Sequence, residues 1–289
     1  MYEIVIKPKQ KWQLVDLAEL WRYRELFYIF TWRDIKVRYK QTLLGVLWVI
    51  FQPLVSTGIF TIFFGRLAKI PSDNLPYELF VLIGLVFWMF FSNSVTHASG
   101  SMIENLNIIK KVYFPKEILP VSASLTSLVD FLINFIVVLV ATFLFGFVPS
   151  LTTLIIIPIA VIITIFTASG LGMFLASLNV KYRDVRYILP FFIQTMLFVT
   201  PVIYPTATLR DSFRPFLALN PMTGVIESTR SVISGSSTLD LKMLIISVVS
   251  SIIIFLCGLI YFRQTERFFA DIACISQLLR SEIYQNNIS

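Results

Sequence analysis

The chain has 289 residues, of which 56 % are hydrophobic and only 14 % charged, and its mean hydropathy is +0.79. A water-soluble domain carries about 45–50 % apolar and about 25 % charged residues, so this balance excludes an ordinary soluble globule. Two cysteines, Cys257 and Cys274, exclude a disulfide scaffold and match no zinc spacing, and a lone histidine, His97, leaves little for metal chemistry.

The first 42 residues are charged, and no cleavable secretory signal is expected among them. Within them, Asp16 to Gln41 reads as a helix with apolar residues at Leu17, Leu20, Trp21, Phe27, Tyr28, Ile35 and Tyr39 among basic ones. Such a stripe suits an amphipathic helix in the interfacial plane, or more plainly a juxtamembrane anchor. Asp34 and Arg38, one turn apart, are expected to pair.

Long charge-free runs follow. A bilayer core of about 30 Å takes about 20 apolar residues in a helix, and helices satisfy every backbone amide internally. The pattern predicts an all-α integral membrane protein with six transmembrane helices at about 43–65, 79–100, 121–145, 151–176, 187–204 and 241–263. Gly146, Pro149 and Ser150 divide the third span from the fourth. The chain thus reads as a cytoplasmic N-terminal region (1–42), a membrane domain (43–263) and a cytoplasmic tail (264–289). Eighteen of the 24 basic residues fall on the face that holds both termini, which makes that face cytoplasmic.

Between spans two and three, Ser101 and Glu104 fit a capping box, which predicts a short helix over Asn105–Lys111 before Pro115. It would present Leu106, Ile108, Ile109, Tyr113 and Phe114 to a partner, unless these side chains simply pack on the protein's own helix ends. In span three, Asp130 is the only acid inside a span; it needs a buried partner, and Asn134 is one turn away. A polar clamp and a place in a transport path both fit this pair. His97 is expected to make an ordinary hydrogen bond. Ala168, Gly172 and Ala176, with Ser169 and Gly170, form a small-residue row for close helix packing. Beyond span five, Pro205–Leu239 is broken by proline and glycine yet apolar, and predicts two short helices dipping into the outer leaflet, or else a packed outer loop.

No glycine is followed by lysine, so the chain has no phosphate loop and cannot hydrolyse ATP that way. No catalytic residue, metal site or cofactor is expected within it. A membrane glycosyl- or acyltransferase would need convergent acids or a histidine near the interface, which the sequence does not offer.

Three stretches together resemble the permease subunit of ABC-2 type polysaccharide exporters, the family of O-antigen, capsule and teichoic-acid export permeases. They are Arg33-Asp-Ile-Lys-Val-Arg-Tyr-Lys40 with Leu44–Trp48 and Gln52-Pro-Leu54; Asn107–Pro120; and Asn179-Val-Lys-Tyr-Arg-Asp-Val185 with Pro190, Gln194 and Thr200–Tyr204. The resemblance spans about residues 15 to 273. It implies a homodimer joined to two copies of a separate ABC ATPase that holds ATP and magnesium. It implies further that the N-terminal helix contacts that ATPase and that Asn105, Leu106, Ile109, Lys110, Lys111, Tyr113 and Phe114 form a coupling helix. The outer segment after Tyr204 would form gate helices. On this reading Trp48, Phe51, Gln52, Phe191, Gln194, Phe198 and Tyr204 line a substrate channel, weak stacking at many places letting a polymer slide. Arg33, Lys36, Arg38 and Lys40 would meet the diphosphate of a lipid-linked glycan at the inner surface, or merely set orientation. The expected partners are the ATPase, a second copy, lipid-linked polysaccharide and membrane lipid, with no nucleic acid. The expected place is the bacterial inner membrane. An ABC-2 exporter of small amphiphiles is the nearest rival.

Overall fold

A computed structural model of the chain describes residues 21–40, 45–73, 75–182, 184–208, 214–235 and 239–286, with side chains described as far as residue 266. Lys7, Lys9, Lys11, Leu17, Leu20, Arg183, Arg210 and Phe213 lie outside the described residues. Among the described residues the regular structure is entirely helical. In chain order the helices are α1 (Arg24–Lys40), α2 (Gly45–Phe60), α3 (Tyr77–Glu104), α4 (Leu106–Ile109), α5 (Ile118–Leu144), α6 (Thr153–Lys181), α7 (Val185–Val199), α8 (Arg214–Ala218), α9 (Pro221–Ile233) and α10 (Leu241–Asn286). A π-helical turn, Thr61–Leu67, prolongs α2.

Among the described residues five helices are long and apolar enough to cross a membrane: Gly45–Leu67, Tyr77–Glu104, Ile118–Leu144, Thr153–Lys181 and Leu241–Glu266. The expected fifth span, 187–204, is instead the 15-residue α7. At 1.5 Å per residue α7 covers only about 22 Å of a core of about 30 Å. Proline explains its end: Thr200, which precedes Pro201, takes an extended conformation (φ −80°, ψ 138°) that stops the helix. The final helix runs on past the expected boundary at 263, as far as Asn286.

The capping box is also corrected. Ser101 and Glu104 belong to the last turn of α3; the Ser101 hydroxyl donates to the Ala98 carbonyl at 2.7 Å instead of capping a new helix. Ser101 and Met102 are both buried, so packing carries α3 through a local start signal. The new element is one turn long, α4, with Asn105 as its N-terminal flank.

α3 is the hub, buried along most of its length, whereas α2 leaves most of its surface exposed. α6 packs between α3 and α10, and α5 packs on α3. The expected small-residue row explains the closeness. A methyl group at Gly172 would sit 2.3 Å from the Ala98 Cβ on α3, and one at Gly258 of α10 would sit 2.0 Å from the Gly170 carbonyl oxygen. One apolar cluster, centred on Phe80, Phe87, Phe90 and Phe131, fills the middle and the end bearing α8 and α9 (the far end). A second, with Phe30, Met102, Phe114, Ile118, Met173 and Phe262, fills the end bearing α1 and α4 (the near end). α1 docks there through Phe30, which the sequence reading passed over, with Tyr23 and Phe27 beside it; Trp21 and Tyr28 face outward.

Candidate functional site: an ionic knot beside a polar cavity

α1 lies against α5 and brings two consecutive side chains to Asp130. Arg38 Nη1 donates to Asp130 Oδ2 at 2.6 Å, and the Tyr39 hydroxyl donates to Asp130 Oδ1. Arg38 Nη2 lies 2.7 Å from His97 Nε2 on α3. Arginine has no acceptor, so Nε2 accepts and His97 is the neutral tautomer with its proton on Nδ1. Burial first, then the bond to Asp130, pushes the Tyr39 phenol well above its ordinary pKa, so it remains a donor at neutral pH. Asp130, 7 % exposed, therefore has its required partners, though not the expected one: Arg38 and Tyr39 hold its two oxygens, and the Asn134 Oδ1 is buried without a hydrogen bond. Arg38 does not pair with Asp34, which is bound by its neighbour Arg33 at 2.7 Å.

These pairings rearrange the expected cluster of four cations. Arg33 is taken up by Asp34 and lies 5.0 Å from the Phe30 ring centre. Arg38 faces Asp130 and His97, while Lys36 and Lys40 are exposed. Two cavities flank Arg38. One, of about 570 Å³, is walled by α1, α2, α3 and α5 and includes Trp48, Gln52, Asn93, Asp130 and Asn134. The other, of about 370 Å³, lies between α1 and the ends of α3 and α5 and includes His97, Glu104 and Asn105.

Of the expected channel residues, Trp48, Phe51 and Gln52 sit on the open surface of α2, the two rings 5.7 Å apart. Phe191, Gln194 and Phe198 are exposed on α7. α2 and α7 each pack on α3, and the larger cavity takes Trp48 and Gln52 but none of the α7 residues. Tyr204 is half-buried and spends its hydroxyl on the last carbonyls of α7, those of Phe198 and Val199 at 3.2 and 3.0 Å.

The expected coupling residues separate into two groups. Phe114 is 3 % exposed and packs on Phe30 with ring centres 5.7 Å apart, and Asn105 is buried, its amide donating to the Ser101 carbonyl. Leu106 and Ile109 are half-buried. Lys110, Lys111 and Tyr113 face outward with Val112, which the sequence reading did not select, and Tyr113 is 71 % exposed. The segment rests on a well-held base: Arg263 of α10 donates to Glu117 at 2.7 Å and Lys116 meets Glu266 at 3.6 Å.

At the far end, sequence reasoning did not single out Arg230. It is 3 % exposed on α9 and donates to three carbonyls: Phe80 at 3.1 Å, Pro201 at 2.7 Å and Val202 at 2.7 Å. Its guanidinium carbon stands 3.4 Å from the Phe80 ring centre, and Glu227 lies 3.7 Å away. Its position among Val225, Ile226, Val232 and Ile233 at helical spacing was the available signal.

The model of the ABC-2 type transporter family matches residues 25–234. The chain is 30 % identical over 248 residues to an O-antigen export system permease protein RfbA of Klebsiella pneumoniae, covering 86 % of this chain and 95 % of that one. It is 29 % identical over 255 residues to the RfbA protein of Myxococcus xanthus, covering 87 % and 97 %. The polysialic acid transport protein KpsM of Escherichia coli is 20 % identical over 236 residues, covering 81 % and 91 %. Two of these relatives are export permeases and the third is a transport protein. With a matched region that takes in α1, the hub helix, both cavities and α9, the chain belongs to the ABC-2 type transporter family as a membrane permease.

Proposed function

We infer that the chain is the membrane subunit of an ATP-driven exporter that carries a lipid-linked polysaccharide, O-antigen ahead of capsule or teichoic acid, across the bacterial inner membrane. The similarity to two export permeases over more than nine-tenths of their length carries this reading, and the likeness to a polysialic acid transporter supports a glycan over a small amphiphile. In this reading the chain crosses the membrane six times, with α7 as a short fifth crossing completed by the segment up to Tyr204, and α8 and α9 act as gate helices. The near end, with both termini, faces the cytoplasm. Two copies enclose the path, and two ABC ATPase subunits supply hydrolysis with ATP and magnesium bound to them.

The chemistry of the parts supports the assignment. α2 and α7 offer flat apolar rings and scattered amides, a surface on which a polymer finds many weak contacts and no deep trap. Lys110, Lys111 and Tyr113 protrude from a base fixed by ionic pairs, as a contact that must transmit force should. Lys36 and Lys40 remain the cations placed to meet a diphosphate at the inner surface, together with Arg33 and Arg38 only if their present partners release them.

The test is complementation of a strain lacking the gene, with surface polymer followed by immunoblot. The wild-type chain restores polymer. Lys110→Glu with Lys111→Glu is expected to abolish it and to weaken co-purification of the ATPase, while the permease level in the membrane is unchanged. Wild-type export and ATPase recovery from that variant would remove the coupling assignment; no polymer restored by the wild-type chain would remove the export reading itself.

A further inference from the structure

The larger of the two cavities beside Arg38 has a composition that the orientation and coupling roles leave unexplained. Its volume of about 570 Å³ lies within the range of about 300–1,000 Å³ typical of small-ligand sites. Trp48 stands in its wall with an indole that is 61 % exposed. The polar lining consists of three amides, Gln52, Asn93 and Asn134, with the Asp130 carboxylate and its two partners, Arg38 and Tyr39. Asn134 is only 5 % exposed, yet its Oδ1 accepts no hydrogen bond. A buried acceptor left unsatisfied keeps its full desolvation penalty, and such an atom calls for a ligand or another explanation.

We propose that this cavity is a binding site for one neutral glycosyl unit of the transported chain, stacked on Trp48 and hydrogen-bonded by the Asn134, Asn93 and Gln52 amides. The proposal rests on the reading of the chain as a polysaccharide permease. Amides both donate and accept, which matches vicinal hydroxyls, and a sugar's C–H face suits an aromatic ring. The charge balance argues against an anion. Arg38, the cation in the wall, is turned to Asp130 at 2.6 Å and to His97, so a phosphate entering here meets a carboxylate whose partner is already engaged. Each Asp130 oxygen takes one protein donor, Arg38 or Tyr39, and keeps further lone-pair capacity for a sugar hydroxyl. The cavity lies where α1 ends and α2 begins, so a unit held here sits at the start of the open α2 surface.

The experiment uses the full chain co-purified with its ATPase in lipid nanodiscs. The probe is the neutral glycan hydrolysed from the cell's own exported polymer and labelled at its reducing end, with inorganic pyrophosphate as competitor. Trp48→Leu, at an exposed position, is expected to weaken binding about two- to tenfold, the scale of one aromatic contact, and Trp48→Phe restores most of it. Asn134→Leu and Asn93→Ala weaken it similarly, with the complex still eluting as one peak, and pyrophosphate does not displace the glycan. Unchanged affinity in Trp48→Leu and Asn93→Ala, or displacement by pyrophosphate, overturns the site. Surface polymer separates the two claims: wild-type export with variants unaffected in binding removes the pocket alone, whereas no export by the wild-type chain removes the function on which it rests.

Discussion

Replacing Arg230 by methionine is the sharpest test of the packing argument at the far end. The guanidinium joins three segments at once: the first turn of α3 through Phe80, the post-helical stretch through Pro201 and Val202, and its own helix α9. Pro201 ends α7, so the carbonyls on either side of that break have lost their helical donors, and lipid supplies none. Methionine keeps the length and apolar stem but orphans three acceptors. Hydrogen bonds to charged groups contribute about 1.5–3 kcal/mol each, offset by the cost of keeping a guanidinium out of water. Breaking such a buried arrangement typically costs about 3–5 kcal/mol. At about 2–4 °C per kcal/mol for a chain of this size, Tm falls by roughly 6–20 °C. The measurement is thermal stability of detergent-extracted protein followed by fluorescence-detected size exclusion. Arg230→Lys should lose nearly as much, because one ammonium cannot span three carbonyls that a planar fork reaches. Glu227→Gln, altering a partner 3.7 Å away, should move Tm by about a quarter of that or less, as befits a weak ion pair. A Tm for Arg230→Met within about 2 °C of wild type would refute the clamp, since that corresponds to about 1 kcal/mol or less.

Two further predictions use the same assay. Arg38→Met leaves the Asp130 carboxylate short of a partner and is expected to cost about 1–3 kcal/mol, discounted because Arg38 is about a third exposed; adding Asp130→Leu should recover part of the loss, and strictly additive effects in the double-mutant cycle would show that the pair is not coupled. Gly172→Ala forces a methyl group to 2.3 Å from the Ala98 Cβ and should cost about 1–3 kcal/mol by overpacking, whereas Gly58→Ala, with nothing within 4 Å, should be neutral or mildly stabilising; equal effects at the two positions would refute the close-packing account.

What the sequence made legible follows from how far each determinant reaches along the chain. Charge-free runs announce membrane helices because lipid acts on every residue of a run, and the small-residue row on α6 was readable because it lies on one element. The rule that an acid in a span needs a partner correctly marked Asp130. The partner was misassigned because Asn134 is four residues away while Arg38 is 92 residues distant, and nothing local distinguishes an arginine that folds back on a helix from one that merely orients the chain. The capping box failed for a related reason. Ser101 and Glu104 are a valid start signal in isolation, but Met102 beside them is wholly buried against the near-end cluster, and tertiary packing outweighs a cap worth about 1 kcal/mol. Phe114 looked available to a partner because its segment is a loop in sequence; its ring is claimed by Phe30, 84 positions earlier.

The two ionic anchors bear on which parts of the protein can move. α3, α6 and α10 are joined by glycine contacts too close to slide, and α5 adds Phe131 between Phe87 and Phe90, with ring centres 4.9 and 4.8 Å apart. So close-packed a core resists rearrangement, because a change of even one methyl group is felt. α2 and α7 are different: each lies on α3 with most of its side chains open. Each also has one end tied by an arginine. The start of α2 follows Arg38, fixed to Asp130 at the near end, and the end of α7 is fixed through Pro201 and Val202 to Arg230 at the far end. The other ends are held by packing: Phe60 and Phe64 at the end of α2 rest against the core cluster, a methyl group at Gly65 would sit 2.6 Å from the Tyr77 ring, and Leu189 near the start of α7 is buried. The two helices are therefore open along their lengths yet anchored at both ends, α2 by the Arg38–Asp130 pair and the Tyr77 contact, α7 by Leu189 and the Arg230 bonds that follow it.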